Sequence, residues 1–156
     1  MNIEIERKFL VKNDDFKKAS YQQKIIKQGY LSAAKNSTVR VRVSDETAFL
    51  TIKGPSNESG TTRFEWEKEI DRNEAEQLLL LCEPSIIDKT RYLVKNEHLV
   101  FEVDEFYGDN LGLTIAEIEL SSEDEVFEKP TWLGKEVTGI EKYYNSKMSK
   151  NPFKDW

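Results

Sequence analysis

The segment Glu4-Ile5-Glu6-Arg7-Lys8 brings two carboxylates and an ammonium close together. In an extended strand alternate side chains share a face. Glu4, Glu6 and Lys8 therefore point one way, and Ile3, Ile5 and Arg7 the other. Neighbouring carboxylates repel unless a positive charge lies between them. A divalent cation is the natural candidate, and the ammonium beside it suits an anion that the cation also holds. Cation, ammonium and anion together point to phosphate chemistry.

The same alternation recurs along the chain. Arg40 and Arg42 oppose Val39, Val41 and Val43; Thr51 and Lys53 oppose Leu50 and Ile52. Arg63, Glu65, Glu67 and Glu69 share a face, with Phe64 and Trp66 on the other. Lys89 and Arg91 are spaced by two; Glu102 and Asp104 flank Val103; Glu117 and Glu119 alternate with Ala116, Ile118 and Leu120. Two arrangements satisfy this pattern. The charged faces are the solvated side of a half-buried sheet, or they point inward. Like charges at spacing two are unfavourable on an open surface. Arginine's planar fork also suits phosphate or carboxylate better than solubility requires.

Inward-pointing charges imply a barrel with a charged lumen and an apolar outside that helices must cover. The segment 73–82 and the C-terminal segment 140–149, with Tyr143, Tyr144 and Met148, are candidates for that cover. Buried charges must pair or hold ligands. The bases Lys8, Arg40, Arg42, Lys53, Arg63, Lys89 and Arg91 nearly balance the acids Glu4, Glu6, Glu65, Glu67, Glu102, Asp104, Glu117 and Glu119. Mutual pairing satisfies such a set, and so does a metal-bound polyanion.

The elements that must position these residues are mostly strands. They are expected at 3–11, 24–32, 38–44, 47–53, 62–71, 90–95, 99–106 and 113–120. Short turns at 45–46 and 96–98 make hairpins, and 33–37, 54–60 and 108–112 are loops. A short helix is expected at 14–19, capped by Asn13 or Asp14. A second runs over 73–82, capped by Asn73 with Glu76 reaching back and stopped by Pro84. Residues 123–127 and 140–149 read as helical, and 130–139 as irregular. This is a mainly β chain (α+β), an antiparallel sandwich or barrel.

A chain of 156 residues suits one domain with a real core, here 1–156. Charged residues make up 33% and apolar ones 38%, a balance too apolar for disorder. The net charge of −6 argues against bulk nucleic acid or an anionic membrane as partner. No apolar run resembles a signal peptide or a membrane span, so a cytoplasmic protein is expected. Cys82 is the lone cysteine and reads as an inert buried thiol; His98 is the lone histidine. Any metal must then be held by oxygen ligands, which favours magnesium, manganese or calcium. Tyr143, Tyr144, Trp132 and Trp156 are candidates for a homodimer contact, with packing on the barrel wall or a disordered tail as equal explanations.

Taken in order, these segments resemble the CYTH superfamily, the triphosphate tunnel metalloenzymes. The resemblance rests on Glu4-Ile5-Glu6-Arg7-Lys8, Val39-Arg40-Val41-Arg42, Thr51-Ile52-Lys53-Gly54 and Arg63-Phe64-Glu65-Trp66-Glu67. It continues through Lys89-Thr90-Arg91-Tyr92, Phe101-Glu102-Val103-Asp104, Ala116-Glu117-Ile118-Glu119 and Gly134-Lys135-Glu136-Val137-Thr138. It implies a closed eight-stranded antiparallel β-barrel tunnel with a polar lumen and a few covering helices. It also implies a metal-dependent hydrolase of triphosphate-bearing small molecules using Mg2+ or Mn2+, with inorganic tripolyphosphatase the leading activity. Adenylate cyclase, thiamine triphosphatase and a non-catalytic polyphosphate or nucleotide sensor are the alternatives. By the same resemblance Glu4, Glu6 and Glu119 hold the metal, with Glu117 and Asp104 as further ligands. Lys8, Arg40, Arg42, Lys53, Arg63 and Arg91 bind phosphate oxygens. Glu117, Lys89 and Tyr30 serve catalysis, with a plain core role the rival reading for Tyr30.

Overall fold

The computed structural model describes residues 3–34 and 36–156. Position 35, in the loop expected at 33–37, lies outside them. The strands are β1 (Ile3–Val11), β2 (Gln22–Ala33), β3 (Thr38–Ser44), β4 (Thr47–Lys53), β5 (Thr62–Ile70), β6 (Ile87–Asn96), β7 (Leu99–Phe106), β8 (Thr114–Glu119) and β9 (Leu133–Glu136). Three α-helices join them: α1 (Asp15–Ala19), α2 (Arg72–Leu79) and α3 (Asn145–Met148).

Strand order is β5-β4-β3-β2-β6-β7-β8-β1-β9, and β5 also pairs with β1. That last pairing closes β1 to β8 into an antiparallel barrel of eight strands. One edge of β1 pairs with β8 through Glu6 to Leu10. The other edge is divided: Ile3, Ile5 and the residue between them pair with β5, and Phe9 and Val11 pair with β9.

Register decides which side chains meet inside. Directly opposed residues of an antiparallel pair share a face. Glu6 opposes Glu119, Lys8 opposes Glu117, Glu102 opposes Glu117, and Arg91 opposes Asp104. Arg42 opposes Gln28, Arg40 opposes Thr51, Lys53 opposes Glu65, and Glu4 opposes Arg63. These charged positions therefore face one lumen.

The apolar faces turn outward and are covered in two places, while Ile25, Phe64 and Trp66 stay exposed on the wall. Phe16 of α1 and Trp132 seal Phe9, Tyr92, Phe101, Val103 and Ile118. Ala75 of α2, with Leu78 and Leu79, covers Val41, Val43 and Ala48. A third cluster lies inside one end of the barrel. There Met148 of α3 packs on Tyr30, Ile87, Phe106, Leu113 and Ile115, and plugs it.

Several elements differ from expectation. The cap of α2 is Asp71, whose carboxylate accepts from the N–H groups of Asn73 and Glu74. Asp71 directly follows β5 in an extended conformation, the geometry a cap needs. Residues 123–127 form no helix: Glu125 accepts from Ser121 N at 2.7 Å, and Glu123 is drawn to Asn57, Ser59 and Thr61. The irregular stretch hides β9, which Gly134 permits; a Cβ there would sit 2.9 Å from the Leu10 carbonyl oxygen. The C-terminal segment is a 3-10 turn (Glu141–Tyr143), an extended Tyr144 and then α3, not one helix. It fills the barrel end instead of covering the wall. Trp132 is core, and Trp156 meets Tyr143 and Phe153 of its own chain edge to face.

Candidate active site

Glu6, Lys8, Tyr30, Arg40, Arg42, Lys53, Arg63, Lys89, Arg91 and Glu117 line a single narrow cavity of about 30 Å³ within the barrel. All come from strands, whose pleat fixes the direction of each side chain. Glu4, Glu65, Glu67 and Glu119 line an adjoining acidic cavity of about 250 Å³. Ion pairs from Glu4 to Lys53 at 2.9 Å and to Arg63 at 3.6 Å connect the two. On the Tyr144 side, Thr38, Arg63, Tyr144 and Ser146 also border a cleft of about 260 Å³ between the 54–60 loop and residues 139–147. Gly60 and Gly139 touch where these segments meet; both have positive φ, and a Cβ on Gly60 would lie 2.5 Å from Gly139 Cα.

Most lumen charges are paired. Lys8 binds Glu117 at 2.8 Å and Glu6 at 3.3 Å. Arg91 grips Asp104 with Nε and NH2, and Lys89 takes the same carboxylate at 2.8 Å. Both oxygens of Asp104 are thus engaged by cations. Burial would raise Asp104, but Arg91 and Lys89 outweigh it and hold it at about 2. Glu117 is likewise kept well below the usual range, because Lys8 and Arg91 overcome its burial.

Two guanidinium groups are left short of partners. Arg42 has no carboxylate within ion-pair distance among the described residues; its Nε donates to Gln28 Oε1 at 2.8 Å. Burial first, then Arg40 and Arg91, press its pKa downward. Arg40 reaches Thr51 at 3.1 Å and Glu67 only at 3.6 Å, and its buried Nε has no acceptor. An unpaired buried cation costs several kcal/mol. The lumen is therefore built to take an anion.

The acidic wall shows the opposite deficit. Burial and then Glu117 push Glu6 up to about 7. Burial, Glu4, Glu102 and Glu6 raise Glu119, which has no cationic partner among the described residues. An all-carboxylate donor set crowded enough to raise its own pKa values suits a hard divalent cation. Among the described residues, however, no three acidic, histidine or cysteine side chains are gathered in metal-holding geometry. Glu4 is turned to Lys53, and Glu117 and Asp104, expected as further ligands, are bound to lysine and arginine.

A CYTH domain profile matches residues 2–151. The chain belongs to the CYTH family. Among curated relatives of this CYTH chain is an inorganic triphosphatase of Acetivibrio thermocellus, 46% identical over 100% of this chain and 99% of that one. Another, of Nitrosomonas europaea, is 36% identical over 94% of this chain and 96% of that one. A solved structure of an inorganic triphosphatase is 33% identical, with a TM-score of 0.63, covering 94% of this chain and 97% of that one.

The CYTH lumen contains residues that motif reasoning passed over. Gln28 and Thr38 face inward, and the strand alternation of Tyr30, Arg40 and Lys53 was the signal for them. Tyr144, Asn145 and Ser146 reach in from the C-terminal segment, which carries no such periodicity. The Tyr144 ring lies 5.6 Å from Lys8 Nζ and 5.7 Å from the Arg63 guanidinium carbon.

Proposed function

We propose that this CYTH chain is an inorganic triphosphatase that cleaves tripolyphosphate to diphosphate and orthophosphate. The observation that carries the reading is the lumen pair Arg40, buried, and Arg42, half-buried, whose charge no carboxylate offsets well. The full-length likeness to two inorganic triphosphatases supports the choice of substrate.

Lys8, Arg40, Arg42, Lys53, Arg63 and Arg91 would bind phosphate oxygens, with Lys89 contributing from the plugged end. The attraction is strong because the site is narrow and lined by cations. Membership of the family implies dependence on a divalent metal; Mg2+ or Mn2+ is the finer proposal, held by Glu4, Glu6 and Glu119. When bound, that cation spreads the charge that builds on the phosphate oxygens. Glu117, kept ionised by Lys8, accepts a hydrogen bond from a water and aims it at the terminal phosphorus. Water oxygen bonds to that phosphorus as its bond to the diphosphate oxygen breaks. Such transfer depends on positioning and electrostatics more than on covalent help from the protein. Tyr30 has a structural place, since its ring belongs to the apolar plug.

No helix among the described residues is long and apolar enough to cross a membrane. A cytoplasmic location is part of this proposal.

Phosphate release from tripolyphosphate, ATP and thiamine triphosphate, each with Mg2+ or Mn2+, tests the reading, with cyclic AMP assayed alongside. Tripolyphosphate is expected to turn over fastest. Release from another substrate with none from tripolyphosphate, or cyclic AMP from ATP, rejects it.

A further inference from the structure

Two neutral amides join the cationic cradle to the C-terminal plug. Arg42 Nε donates to Gln28 Oε1 at 2.8 Å. The Nε2 of Gln28 donates to Asn145 Oδ1 at 3.1 Å, and more weakly to the Tyr30 hydroxyl at 3.4 Å. The same Asn145 oxygen accepts from Lys89 Nζ at 2.9 Å. Gln28 is 0% exposed and Lys89 2% exposed, so water does not substitute for these bonds.

We infer that Gln28 and Asn145 are positioning residues that aim Arg42 and Lys89 at the phosphate chain without spending their charge. The inference rests on the triphosphatase reading above. An amide oxygen fixes a guanidinium by its Nε and leaves both terminal nitrogens for an anion. A carboxylate in the same place would orient the group equally well but would neutralise it and compete with phosphate. Arg42 is the one lumen arginine with no carboxylate within ion-pair distance among the described residues, and the residue fixing it is glutamine. Lys89 already holds Asp104 at 2.8 Å; Asn145 fixes a second of its donors and leaves the third free. Asn145 is also the first residue of α3, so a correctly seated plug and a correctly aimed cradle form together.

Asn145→Asp keeps an acceptor for both Lys89 and Gln28 and adds only charge. It is expected to leave the melting temperature unchanged or higher while weakening tripolyphosphate binding about tenfold, read by calorimetry and as a raised KM. Gln28→Met removes the brace on Arg42. It is expected to raise KM about tenfold in the wild-type background and less than twofold where Arg42 is already alanine. Equal losses in both backgrounds, or Asn145→Asp binding tripolyphosphate as tightly as wild type, would overturn the inference while the triphosphatase reading stands. A wild-type protein that neither binds nor cleaves tripolyphosphate overturns that reading, and this inference with it.

Discussion

Arg91 and Asp104 stand directly opposite each other on β6 and β7 and are joined by two parallel hydrogen bonds, of 2.8 and 2.9 Å. Asp104 is 1% exposed and carries Lys89 as well. The carboxylate thus organises two cations of the cradle. Replacing it with alanine leaves buried Lys89 with no carboxylate and Arg91 with only Glu102, at 3.0 Å, which costs about 3–5 kcal/mol. Urea denaturation of Asp104→Ala without divalent metal measures this. Stability equal to wild type would mean the carboxylate matters only when a metal is present.

Glu6 and Glu119 face each other across β1 and β8, and both are raised by burial and by neighbouring carboxylates. Glu6→Gln and Glu119→Gln relieve that repulsion and remove two of the proposed metal ligands. Metal-dependent turnover is expected to fall on the order of 100-fold or more, with weaker Mn2+ binding by calorimetry. Protein stability without metal should hold or rise. Unchanged Mn2+ affinity in both variants would move the metal elsewhere.

Met148 is fully buried among Tyr30, Ile87, Phe106, Leu113 and Ile115 inside the barrel end. Met148→Ala opens a cavity there and should cost about 2–5 kcal/mol in denaturant unfolding. Because Asn145 lies on the same short helix, KM for tripolyphosphate should rise along with the lost stability. A fully stable variant would show that the end of the barrel collapses onto the gap.

The Arg7–Glu136 pair ties β9 to β1 on the outer wall, with bonds of 2.9 and 2.7 Å. Its hydrogen bond with Arg7 holds Glu136 below the ordinary glutamate value of 4.5, and Thr138 adds to this. A carboxyl depressed on folding stabilises above its unfolded value, and the contribution is lost as pH falls through the folded one. The pair is partly exposed, so Glu136→Gln should cost only about 0.5–1 kcal/mol at pH 7. The gap between the two proteins should close below about pH 4. A difference that stayed constant down to pH 2 would show that packing, and not charge, is responsible.

Alternation within strands is set by the local chain, so sequence alone identified which residues share a face. Arg40 with Arg42, Glu117 with Glu119, and Lys89 with Arg91 all keep the sides assigned to them. Whether those sides met solvent or one another was a matter of closure, and it turns on the pairing of Ile3 and Ile5 with β5. That contact joins segments sixty residues apart, and no local propensity encodes it.

Short elements were harder to foresee. Asp71 and Asn73 are both good caps, and the strand leading into α2 decides between them. Tyr144 is extended and its ring lies against Lys8 and Arg63, so the helical pattern of 140–149 yields to tertiary contacts. Residue type and spacing therefore determined the chemistry available: carboxylates for a cation, guanidinium groups for an anion. Only the folded barrel decided which charges neutralise one another and which remain free, because partner choice among buried ions depends on distances of a few ångströms between separate strands.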